Sequence, residues 1–144
     1  MVKISGISKL IERKPFHLLL LILVGLNLSG IATSSNQASL TALIAIFISA
    51  SSSVVIKMLL KTNRPRLNKY RIIRYGFPSS HTQIAFSIVT VYAKYAPQFS
   101  ILFFALAIFV ACTRVFLKAH KKIDVIGGAV LGIITGLISL SLFS

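Results

Sequence analysis

Apolar residues run along this chain in five blocks, roughly Pro15 to Ala32, Ser39 to Leu60, Ser79 to Tyr95, Gln98 to Leu117 and Ile123 to Phe143. Each block is close to the roughly 20 residues that a helix needs to cross the hydrocarbon core of a bilayer. The stretches between them are mostly polar at 33–38, basic after Leu60 and after Leu117, and proline-containing after Tyr95. The pattern predicts an all-α integral membrane protein, a bundle of about five transmembrane helices forming one domain over residues 1–144. The first block, with its basic start and leucine-rich centre, also reads as a signal peptide, but Ser29-Gly30-Ile31-Ala32 is a mediocre cleavage context. Gly128, Gly132 and Gly136 recur every four residues in the last block. Small residues at that spacing let two helix backbones approach, here inside the bundle in preference to a dimer contact. The run Ser51-Ser52-Ser53 is expected to pack its helix closely in the same way.

Composition supports the membrane reading, since 56% of the 144 residues are hydrophobic. The charge is one-sided: 16 Lys and Arg stand against 2 acidic residues, a net charge of +14. The basic residues cluster between the apolar blocks, where they suit anionic lipid headgroups or phosphate-bearing substrates. Nothing resembles a nucleic-acid reader. The single cysteine, Cys112, excludes a disulfide within the chain and a cysteine-rich metal site. Two acids in all leave no donor set for a carboxylate-bridged magnesium or two-metal centre. Three histidines far apart make zinc a poor alternative. No metal and no cofactor are expected.

Three short clusters fall at the ends of apolar blocks. Lys57 lies near the end of the second block, six residues before Arg64-Pro65. Its plain reading is a snorkelling lysine followed by a solvated basic loop. Pro78-Ser79-Ser80-His81 opens the third block. A helix N-terminus there would attract an anion, Ser79 would serve equally as an N-cap, and the His81 imidazole suits proton transfer near neutral pH. Thr113-Arg114 is followed by His120 and, four residues on, by Asp124, the only aspartate in the chain. In a helix His120 and Asp124 would share a face. A carboxylate accepting from Nδ1–H would fix the tautomer and leave Nε2 as a nucleophile. The plain alternative is a helix-start acid beside a surface histidine. His17 is read as interfacial, and Glu12 as a solvated charge.

Taken together, Lys57-x6-Arg64-Pro65, Pro78-Ser79-Ser80-His81 and Thr113-Arg114-x5-His120-x3-Asp124 resemble the tripartite signature of the type 2 phosphatidic acid phosphatase superfamily. The resemblance spans residues 57 to 124; residues 1 to 50 match only in being hydrophobic. Ser80 stands where the family usually has glycine, and Thr113 where serine is usual. The resemblance implies metal-free phosphotransfer with the active site at helix ends near one membrane face. His120 would attack phosphorus, Asp124 would orient His120, and His81 would protonate the leaving oxygen. Lys57, Arg64, Arg114, Ser79 and the Ser80 backbone would hold the phosphoryl oxygens. The soluble haloperoxidase branch of the superfamily does not fit so apolar a chain.

The expected partner is therefore a lipid phosphate within the membrane. A polyprenyl diphosphate, undecaprenyl or dolichyl, is favoured by the basic stretch Arg66 to Arg74; phosphatidylglycerol phosphate and phosphatidate are the alternatives. A non-catalytic phosphate-lipid binding or transport protein is the rival of another class. With five spans, nearly all the charge shares the face of the site and Lys94 marks the other. The positive-inside rule then places the site on the cytoplasmic side of the cell membrane, whereas membrane members of the family generally work on the outer face.

Overall fold

The computed structural model describes residues 35–63 and 75–143. The first apolar block, His17 and Arg64 lie outside the described residues. Four helices follow one another: α1 (Ser35–Leu60), α2 (Ser80–Tyr95), α3 (Ser100–Phe116) and α4 (Lys122–Ser141). A single 3-10 turn, Pro97–Phe99, starts the chain into α3, so that helix begins two residues later than its apolar block. The helix α1 begins earlier than its block, at Ser35.

The helices α1, α3 and α4 each bury a face spaced three and four residues apart. On α1 that face runs Ala38, Ala42, Ala45, Ser49, Ser53 and Lys57. Residues this small let the backbones approach closely, which is how helices associate where lipid removes the usual hydrophobic drive. On α3 it runs Phe103, Ala107, Val110 and Arg114. On α4 it starts at Asp124 and continues through Gly128, Gly132, Gly136 and Leu140. The buried faces of α1 and α3 thus end, and that of α4 begins, at a charged residue.

The helix α2 sits at the centre and packs against the other three. It runs antiparallel to α1, with Lys57 at its start and Thr41 beside Tyr95 at its end. It is also antiparallel to α3, where Tyr92 meets Phe103 edge-on. It runs parallel to α4. A Cβ added at Gly128 would lie 2.7 Å from the Ser79 carbonyl oxygen, and one at Gly136 2.8 Å from that of Ser87. One at Gly132 would collide with the Gln83 carbonyl oxygen. The glycine stripe is therefore a close-packing face inside the bundle, against α2. Neighbouring hydroxyls tie the same interface to α1, through Ser49 to Thr135 at 2.7 Å and the Gln83 amide to Ser52 at 2.8 Å.

The second to fifth apolar blocks are all helical. Among the described residues, three helical stretches are long and apolar enough to cross a membrane: Asn36–Leu60, Pro97–Phe116 and Lys122–Ser141. The helix α2 has 16 residues and is buried almost throughout from Thr82 to Tyr92. The large exposed apolar side chains, such as Phe47, Leu59, Ile101, Phe109 and Ile134, all lie outside α2. The outer helices present an apolar surface suited to lipid, and α2 is shielded by them.

Candidate active site

The sequence clusters converge at one end of the bundle through a chain of hydrogen bonds. The Lys57 ammonium, at the end of α1, donates to the Pro78 carbonyl at 2.5 Å. The Ser79 N–H donates to the Asp124 carbonyl at 2.9 Å. The His120 N–H donates to the Arg114 carbonyl at 3.2 Å. The first two links join the three clusters and the third closes the last of them on itself, so backbone and ammonium together hold the helix ends in register.

Lys57 is not a snorkelling lysine. It is 2% exposed, and besides Pro78 it donates to Ser53 Oγ and Ser80 Oγ, both at 2.6 Å. Burial of an ammonium is tolerated only with such compensation. Ser53 stands four residues before Lys57 on the same helix face. That spacing was visible in the sequence, where the serine run was read only as packing.

Ser79 occupies the N-cap position of α2, but its side chain makes no capping hydrogen bond; its Oγ accepts from Thr82 Oγ1 at 3.0 Å. Ser80 is the first helical residue, and among the described residues the non-glycine positions with positive φ are Lys61 and Lys118. The turn therefore does not demand the glycine that the family usually carries. His81 is half-buried, one residue further along.

The third cluster is folded differently from the shared helix face expected. His120 lies in the turn between α3 and α4, and Asp124 is the third residue of α4. The helix α3 ends in a Schellman motif: Lys118 takes φ 51°, its N–H donates to Val115 O at 2.9 Å, and Ala119 N–H donates to Arg114 O at 3.0 Å. The reversed chain places His120 against the end of α3. Asp124 Oδ2 accepts from the Lys121 N–H at 2.9 Å, the carboxylate half of a capping box. The same oxygen lies 3.5 Å from His120 Nδ1. This is longer than an ordinary hydrogen bond, and contacts of this type commonly tighten in a reacting complex. The histidine is no surface residue: His120 and Asp124 are 3% and 2% exposed. Asp124 thus serves as a helix-start acid and as the histidine's neighbour at once.

Arg114 is 1% exposed at the end of α3, with Nε and one terminal nitrogen 3.4 Å from Thr113 Oγ1. The Thr113 hydroxyl itself donates to Val110 O at 2.6 Å. A further contact was not anticipated: the Phe77 ring lies directly over Gly127, where a Cβ would collide with it. The loop before it is closed by Gly76 N–H to Thr62 O and Phe77 N–H to Thr62 Oγ1, both at 2.7 Å.

A buried imidazole–carboxylate pair, a buried lysine and a buried arginine thus lie at one end of the helical bundle. The profile of the PAP2 superfamily matches residues 38–144, and the chain belongs to that superfamily. Among the described residues its three long apolar helices are of a length and composition to cross a membrane. The fold is similar to that of LpxE from Aquifex aeolicus (TM-score 0.72, 22% identity, 97% of this chain and 88% of that one). It is also similar to a transmembrane PAP2 type phosphatidylglycerolphosphate phosphatase from Bacillus subtilis (TM-score 0.68, 21% identity, 99% and 79%). Comparison with curated protein sequences gives no match.

Proposed function

We propose that this chain is a membrane lipid phosphate phosphatase that works through a phosphohistidine without a metal. The observation that carries the reading is the buried His120–Asp124 pair, 3.5 Å apart, at the bundle end that also holds the buried Lys57 and Arg114. His120 Nε2 attacks phosphorus; the P–N bond forms as the P–O bond to the lipid breaks, and His81 gives its proton to the leaving oxygen. Water then attacks phosphorus and passes a proton to His81. The P–N bond breaks, inorganic phosphate leaves and His120 is regenerated. Asp124 orients His120 and stabilises the charge on its ring. Arg114, Lys57 and Arg64, with Ser79 and the Ser80 backbone, offset the phosphoryl charge that a metal clamp balances in other phosphatases.

For the substrate we favour a polyprenyl diphosphate, because the basic stretch from Arg66 to Arg74 suits two phosphates better than one. A second reading, phosphatidylglycerol phosphate, draws support from the activity named for the Bacillus subtilis structure. The test is phosphate release from a panel of polyprenyl and glycerolipid phosphates in EDTA. Release from at least one lipid at an undiminished rate is the expected result. Activity lost in EDTA and restored by a divalent ion would contradict the metal-free route. Saturable lipid binding with no release across the panel would favour the rival reading of a binding or transport protein.

The site faces the cytoplasm in this proposal. Lys61, Lys118, Lys121 and Lys122 lie at the site's end of the helices and Lys94 at the other, an asymmetry that the positive-inside rule reads directly. Single cysteines at Lys122 and Lys94 test it, in a Cys112→Ser background because Cys112 is itself exposed. An impermeant thiol reagent applied to intact cells is expected to label position 94 and spare position 122. The reverse pattern places the site outside.

A further inference from the structure

The hydroxyl of Ser80 has a role that its backbone N–H does not account for. An ammonium has three hydrogens. Those of Lys57 meet Ser53 Oγ, Ser80 Oγ and the Pro78 carbonyl at 2.5 to 2.6 Å. Ser53 Oγ and Ser80 Oγ are also 2.7 Å apart, so one of them donates to the other. Burial decides which. Ser53 is 0% exposed, and among the described residues the acceptor open to its proton is Ser80 Oγ. The opposite direction would strand a buried hydroxyl proton, at a cost larger than a hydrogen bond's net worth. Ser80 then accepts twice, from Lys57 and from Ser53, which uses both lone pairs of its oxygen. Its own hydrogen is left to donate. Ser80 is half-buried and is the first residue of α2, where the free N–H groups of the helix start also point.

We propose that the Ser80 hydroxyl is a phosphate-contacting donor and that Lys57 acts on the phosphoryl group through it. The inference rests on the phosphatase reading above for the identity of the anion, which is a phosphoryl group carried by a lipid or released as inorganic phosphate. Lys57 polarises Ser80 by donating to it, and chains of hydrogen bonds of this sort strengthen one another.

The test is equilibrium binding of inorganic phosphate to the detergent-solubilised protein, which needs no turnover. Ser80→Ala is expected to weaken phosphate binding roughly tenfold, the worth of one charge-assisted hydrogen bond. Adding Lys57→Met to Ser80→Ala is expected to weaken it by less than about threefold more, because residues acting through one another are not additive. Unchanged or tighter phosphate binding by Ser80→Ala overturns the relay, as do two losses that multiply. The Ser80→Ala arm decides alone if Lys57→Met does not fold. Lipid phosphate turnover by the unmodified protein is measured beside it. Phosphate binding that depends on Ser80 with no lipid turnover sinks the enzyme reading and keeps the relay. Turnover with phosphate binding indifferent to Ser80 does the reverse.

Discussion

His120→Ala is expected to abolish phosphate release from the lipid substrate, a fall on the order of 10⁴-fold or more, as for loss of other catalytic nucleophiles. Asp124 accepts from the Lys121 N–H through its carboxylate whether or not an imidazole is beside it, so the start of α4 survives the change. The turn is also held by backbone, through Ala119 and His120 N–H to the Arg114 carbonyl. The loss is therefore chemical, and it should appear in kcat with the melting temperature in detergent little altered. His81→Ala gives a smaller deficit, about 10²–10⁴-fold, since a general acid eases a step that a missing nucleophile removes altogether. Full activity in His120→Ala would show that phosphorus is attacked by some other group.

Gly132→Val is expected to destabilise the bundle strongly. A Cβ at this position meets the Gln83 carbonyl oxygen and lies 2.7 Å from Phe86 Cβ. Neither neighbour is the end of a flexible side chain, so α2 and α4 must move apart. Overpacking of this sort costs about 3 kcal/mol, roughly 10 °C in melting temperature for a domain of this length. Separation would also break the link from Ser79 N–H to the Asp124 carbonyl and draw the two motifs apart. Gly127→Ala is the control. Its Cβ meets only the Phe77 ring, a side chain that can turn aside. A Gly132→Val protein as stable and active as the original would mean that the α2–α4 contact is not the framework of the site.

Much of the site is written in local spacing. His120 and Asp124 are four residues apart, and the pair forms although the expected shared helix is replaced by a turn and a helix start. The glycine stripe of α4 likewise announces its close approach to another helix, because its period matches one helical face. What local spacing does not carry is the partner across the interface. The hydroxyl pair around Lys57 needs α1 and α2 together, and neither segment alone distinguishes a buried ammonium from a snorkelling one. The left-handed Lys118 is hidden for a similar reason, since lysine gives no hint of the conformation that the Schellman motif imposes. The apolar run of the third block predicts its helix but not its place, buried at the centre where the other helices pack on it.

In the proposed mechanism the phosphoryl group passes from the lipid to His120. Rapid quenching of the protein during turnover of a ³²P-labelled lipid phosphate, followed by peptide mapping, tests it most directly. The expected result is label on the peptide containing His120, stable to alkali, released by acid and absent in His120→Ala. Label on another residue, or steady turnover in which no phosphoenzyme forms at any quench time, would contradict it.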